Sequence, residues 1–245
     1  MKKLFSLFVI VSLMAACRKR ESTPPPTSPK DFSGTMYVAA SYDNSGKPSV
    51  MGQDVITANL IAFLNNTLPE RVDLRNSNSP LLSTSAIPDI VIKSRTEVSI
   101  TFVSQGTEFS NTIAYYTYPT ANPPAKPKDI VKITYVFPNA GNFTPLKPGD
   151  KVTLGTFEAG TSVGFVLLKN GWDTATKTVN NSAVHFCSND ILNPEFDPNL
   201  KKHAVLINYS AENVVLIGFE DIDRTQPNCD HDFNDVVVYA TATPK

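Results

Sequence analysis

Cysteine and histidine are both scarce in this chain of 245 residues, with three of each. His185, His203 and His231 stand at no metal-type spacing and beside no cluster of cysteines, so a zinc site is not expected. Positive charge is not in excess either. The net charge is −1 and no basic stripe follows the first residues, which argues against nucleic-acid binding. Beyond the N-terminus no apolar run is long enough to cross a bilayer as a helix. No serine sits in a Gly-x-Ser-x-Gly elbow, and no internal repeat is visible. What is plentiful is proline, at nineteen residues, together with Thr, Ser and Asn, as suits an extracytoplasmic β protein. The length has room for one ordinary domain and a smaller companion.

The N-terminus is more specific. Met1-Lys2-Lys3 is a positive start, residues 4–14 are apolar, and Ala15-Ala16 places small residues directly before Cys17. That order fits a bacterial lipoprotein signal over residues 1–16, with lipid attached to Cys17; an ordinary secretory leader is the alternative. Several acyl chains on one residue give stable anchoring without a transmembrane helix. Residues 17–30, with Arg18-Lys19-Arg20 and Pro24-Pro25-Pro26, read as a semi-rigid tether. The expected location is the bacterial envelope, on the outer membrane, with the basic run leaving the periplasmic or surface face open.

Acidic residues crowd one stretch near the C-terminus. Glu220, Asp221, Asp223, Asp230, Asp232 and Asp235 lie between two β-branched runs, Val214-Val215-Leu216-Ile217 and Val236-Val237-Val238. Placing these carboxylates between two buried strands costs repulsion and desolvation unless a cation or several backbone amides meet them. Carboxylate and amide oxygens without Cys or His favour a hard cation, and outside the cell that means Ca²⁺. Asp230-x-Asp232-x-Asn234 begins like an EF-hand loop, but Asp235 stands where the turn glycine belongs and Thr241 where the last glutamate belongs. An EF-hand is therefore excluded. The plainer alternative is a solvated turn whose side chains cap their own backbone.

Gly218-Phe219-Glu220-Asp221 followed by Asp230-x-Asp232-Phe233-Asn234-Asp235 resembles the terminal motif of a bacterial family of secreted domains of unknown function, numbered 4114. Such domains occur in calcium-dependent adhesins and in surface lipoproteins of the leptospiral LruC type. The resemblance implies a compact β-rich domain whose acidic loop binds calcium, with a surface or adhesive role and no established catalysis. Carried over, the ligands are Glu220, Asp221, Asp230, Asp232, Asn234 and Asp235. Residues 106–116 also resemble the segment that precedes this motif in the family.

Elsewhere, many short β-branched runs separated by turns predict a mostly β protein, an antiparallel, jelly-roll-like β-sandwich with one or two short helices. Residues 54–64 carry helical spacing, with Gln53 or Asp54 as cap and Pro69 as stop. A proline-rich joint at residues 121–127 suggests an N-terminal strand and helix region over 31–120, packing on a C-terminal sandwich over 121–245; one continuous sandwich is the alternative. Tyr115, Tyr116 and Tyr118 suit either core packing or a sugar-stacking platform. With Cys17 lipidated, Cys187 and Cys229 are expected to pair as a disulfide. A glycan hydrolase would need two opposed carboxylates, for which Glu158, Glu195, Glu220 or Asp221 can be nominated, but nothing in their context selects a pair. The expectation is a non-catalytic, adhesin-like module for a glycan or an envelope protein, with a purely structural envelope component as the competing class.

Overall fold

The structure is a computed structural model describing residues 32–83, 86 and 88–245. The leader 1–16, Cys17 and the tether 17–30 lie outside the described residues. Two six-stranded sheets face each other. One runs in the order β1 (Met36–Ala39), β6 (Lys132–Phe137), β5 (Thr112–Pro119), β8 (Thr161–Lys169) and β11 (Val184–Cys187), with β3 (Ile90–Val91) also paired to β8. The other runs β12 (Ala204–Tyr209), β13 (Val214–Phe219), β14 (Val236–Pro244), β4 (Thr96–Gln105), β7 (Asp150–Phe157) and β2 (Gly52–Gln53). A small ribbon joins β9 (Trp172–Asp173) to β10 (Thr178–Val179). Within the two large sheets only β1 and β6 pair in parallel; the other pairs are antiparallel, so the expected sandwich is found.

Period-two alternation explains the layering, because successive side chains of a strand point to opposite faces. On β14, Val236, Val238 and Ala240 enter the core between the sheets, whereas Val237 and Tyr239 face away from it. On β8, Val163, Phe165 and Leu167 enter that same core, and Val166 and Leu168 face a second apolar layer with Ala114, Tyr116 and Ile133. Central strands buried on both faces read as unbroken apolar runs. The outward face of the second sheet is covered by α1 (Ala58–Thr67) and α2 (Leu74–Ser77), through Leu60, Leu64, Leu68 and Leu74.

Two expectations are corrected, and for the tyrosines one of the two alternatives is found. The helix begins later than residues 54–64 imply: Thr57 caps it, accepting from the Leu60 amide at 3.0 Å. Gln53 belongs to β2 and Asp54 pairs with Lys151 at 3.1 Å, so neither caps. Residues 121–127 do not divide the chain into two units, because β4 and β5, both before the joint, are interior strands of the two sheets. The tyrosines pack: Tyr116 is buried, the Tyr118 hydroxyl donates to Asp89 at 2.7 Å, and Tyr115 lies against the central core.

α1 packs on the outer face of the strands that carry the acidic stretch, so its leucines hold that end of the sandwich. Leu60→Ala should therefore destabilise the protein by about 2–5 kcal/mol in urea unfolding. Val55→Ala, at a residue 76% exposed, should stay within about 0.5 kcal/mol of the parent.

Candidate metal centre

β13 and β14 are paired so that Phe219 stands opposite Val236. Glu220 and Asp221 thus leave the sheet directly beside the point where Asp235 enters it. Gly218 has no room for a side chain, since a Cβ there would lie 2.3 Å from the Phe233 carbonyl oxygen and 2.6 Å from Leu68 Cδ1. The returning loop is strained, with left-handed backbone at His231 (φ 59°) and Phe233 (φ 61°), neither of them glycine. Its restraints are correspondingly many. Phe233 is fully buried beneath the helix layer, and the His231 carbonyl accepts from the Leu74 amide at 3.0 Å. Arg224 donates to His231 Nδ1 at 3.1 Å and to the Lys202 carbonyl at 3.1 Å, with its guanidinium 5.2 Å from the Phe233 ring. Behind Glu220, its backbone bonds His203 in both directions, and His203 Nε2 lies 2.8 Å from the Glu195 carboxylate.

Two groups of acids converge here and share one member. Glu220, Asp221 and Asp235 each offer an oxygen within 4.8 Å of the others, and so do Glu220, Asp230 and Asp232. Asp221 Oδ2 accepts from Thr107 Oγ1 and Asn111 Nδ2, both at 2.5 Å. Asp235 Oδ2 accepts the Asp221 amide at 2.8 Å. Asp232 accepts the Arg71 amide at 2.7 Å and the Asn234 amide at 3.1 Å. Glu220 Oε1 takes the Ile222 amide at 3.2 Å, but Glu220 Oε2 and Asp221 Oδ1 are buried with no hydrogen-bond partner while the acids are ionised; a proton on Asp235 would let its carboxyl bond that of Asp221. The acids open on a cleft of about 360 Å³ lined also by Arg71, Phe109, Ile222 and Asn228.

Burial dominates the electrostatics. It pushes Asp235 up to about 10, with the charges of Asp221 and Glu220 adding to the effect. Glu220 is pushed up to about 7 by burial, partly offset by the Ile222 amide. Asp232 is raised to about 6 for the same reason, against the amides of Arg71 and Asn234. Asp221 is raised by burial although Thr107 and Asn111 favour its anion. Carboxylates so placed must take up protons or meet a cation. With oxygen donors alone, the set suits a hard cation.

Of the residues the sequence singled out, the fold brings together Glu220, Asp221, Asp230, Asp232 and Asp235. Asn234 lines the same cleft, and its Nδ2 donates to the Leu68 carbonyl at 3.2 Å. Asp223 stands apart and caps its own turn at Thr225. Sequence reasoning missed Thr107, Asn111 and the Arg71 amide. The first two fall in the 106–116 stretch that resembles the family, the one signal that pointed to them. The expected Cys187–Cys229 bridge is not formed: both thiols are free and buried. Cys187 packs in the outer layer of the first sheet among Ala114, Val166 and Leu192, while Cys229 Sγ lies 3.3 Å from His231 on the acidic loop. Of the other acids named from the sequence, Glu158 meets Arg95 at 3.2 Å near the surface and Glu195 lies 2.8 Å from His203 Nε2.

The raised carboxyl groups fix a sign. A carboxyl held above its unfolded value stabilises the fold at low pH, and that contribution is lost as pH rises from about 4 toward the folded value. His185 and His231, both lowered to about 4 by burial, act in the opposite sense between about 4 and 6.5. A difference measurement removes them. In cation-free buffer Asp235→Asn should gain on the parent as pH rises from 4 to 8, by on the order of 2 kcal/mol. Equal pH slopes for the two proteins in thermal melts would overturn this.

Residues 157–243 match the model of a family described as Domain of unknown function (DUF4114). No curated protein matches the chain, and no solved structure does. The matched stretch runs from the last residue of β7 to near the end of β14, so it includes all five converging acids but neither Thr107 nor Asn111. This chain is thus similar to that family of unknown function over residues 157–243, which supply part of each large sheet.

Proposed function

We propose that this protein is a calcium-binding β-sandwich module, lipid-anchored at Cys17 to the bacterial envelope, that binds a glycan or protein partner without catalysis. The observation that carries the calcium reading is the pair of buried, unpartnered oxygens, Glu220 Oε2 and Asp221 Oδ1, inside a cluster of five acids. Calcium takes six to eight oxygens at about 2.3–2.6 Å, so its ligands lie up to about 5 Å apart. The oxygens of each triad lie within 4.8 Å of one another, close enough for one such ion to reach all three. Magnesium is the poorer fit because it demands tighter octahedral geometry and gives up water reluctantly. When bound, the cation supplies the positive charge that these carboxylates lack. Thr107 and Asn111 turn Asp221 so that Oδ1 faces the cluster, while the amides of Arg71 and Asn234 orient Asp232. The adhesin-like role is supported by the motif's resemblance and by the lipoprotein-type N-terminus.

If the native state binds the cation and the unfolded chain does not, stability rises by about 2.7 kcal/mol at a hundredfold excess over the dissociation constant. Chelation should therefore lower the melting temperature by several degrees, and calcium should restore it more effectively than magnesium. Asp232→Ala should melt like the chelated parent and lose the response, whereas Asp43→Ala, on an exposed turn far from the motif in sequence, should keep it. Identical melting in chelator and in excess calcium, with no heat of binding, would sink the calcium reading.

Anchoring is tested separately. Cys17→Ser should move the protein from the membrane fraction to the soluble fraction and abolish fatty-acid labelling. Persistent labelling of that variant would exclude Cys17 as the acylated residue.

A further inference from the structure

We propose that the acidic end of the sandwich holds two divalent cations bridged by Glu220. An inner ion would sit on Glu220, Asp221 and Asp235, and an outer ion on Glu220, Asp230 and Asp232. This rests on the calcium reading and goes beyond it in stoichiometry and division of labour. The two oxygen triads are distinct and meet only at Glu220, which is fully buried. Two observations independent of the acid count point to ligation. Asp221 has spent Oδ2 on Thr107 and Asn111 and keeps Oδ1 buried without a partner, and Glu220 keeps Oε2 in the same condition. Such orphaned oxygens are costly unless an electropositive partner reaches them.

Charge decides between one ion and two. Among the described residues, none of these five acids forms an ion pair with a lysine or arginine. The nearby cations act on the cluster only from a distance: Arg71 pairs with Glu70 at 3.4 Å, Arg224 bonds His231 and backbone carbonyls, and Lys169, whose charge is felt by Asp221, sits 4.0 Å over the Phe109 ring. With all five acids ionised, one divalent ion leaves three negative charges uncompensated, whereas two leave a single one. A carboxylate shared by two ions is also the least repulsive way to place them side by side. Asp221 and Asp235 line the same cleft as Asp230 and Asp232, but Asp230 is the most exposed of the five, so the outer ion is the more readily exchanged one.

The test uses the full chain and calcium chloride alone, with ions counted by native mass spectrometry and by calorimetric titration. Two bound calcium ions per chain support the bridge. One ion overturns it while leaving the calcium reading intact; none overturns both. Asp230→Asn, at an exposed position, should lose the outer ion and keep the inner one. Retention of two ions by that variant, or loss of both, would also overturn the assignment.

Discussion

The interaction on which this end of the molecule depends is the mutual repulsion of carboxylates that the fold has withdrawn from water. Glu220 stands in the middle, with Asp221 and Asp235 on one side and Asp230 and Asp232 on the other. Burying an anion is expensive, and burying several together is more so, because each raises the cost of ionising its neighbours. Segments far apart in the chain bring donors to the cluster: Thr107 and Asn111 from the loop after β4, Arg71 from the turn after α1, and the Ile222 amide from the acidic loop itself. These donors do not suffice, since two buried oxygens still lack partners. The residual deficit is positive charge.

The scaffold that holds this arrangement is also where it couples to the rest of the fold. Leu68, the residue that closes α1, contacts the site in two ways: its carbonyl accepts from Asn234, and its side chain packs where a Cβ on Gly218 would collide. Phe233 lies between Asp232 and Asn234 in sequence, yet its ring is buried with Leu60, Leu64 and Leu74. A shift of the acidic loop therefore has to move an aromatic anchor in a close-packed layer, which resists small displacements. The left-handed residues His231 and Phe233 fit the same picture, since strained backbone persists only where its surroundings over-determine it.

What was legible in the sequence was what is local or periodic. Alternating apolar runs gave the sandwich, and a sixteen-residue stretch from Glu220 to Asp235 gave the five converging acids, because strand pairing returns the chain to where it left. What failed was whatever distance in the chain conceals. Thr107 and Asn111 bond Asp221 across separations of 114 and 110 residues, and no spacing rule connects them. The proline-rich joint at 121–127 looked like a boundary, yet β4 and β5 were already interior strands, which composition does not reveal. The disulfide inference used compartment and parity alone; it carried no information on where Cys187 and Cys229 would sit, and they sit apart in function and surroundings.

The difference from an EF-hand is physical as well as topological. An EF-hand gathers its ligands within one contiguous loop of twelve residues, so the loop can adapt around the ion. Here Glu220 and Asp221 directly follow β13 and Asp235 directly precedes β14, and the Phe219–Val236 pairing fixes the separation of the two chain ends. The spacing of this triad is thus set by a β-ladder at the centre of a six-stranded sheet, and it forms when the sandwich forms. Asp230 and Asp232 lie in the middle of the loop, where Asp232 is held by two backbone amides and Asp230 is exposed. One cluster therefore joins a half set by the β-ladder, whose repulsion is imposed by folding, to a half carried by the loop, where Asp230 reaches solvent. Glu220 belongs to both, so the state of either half is felt by the other through a single carboxylate.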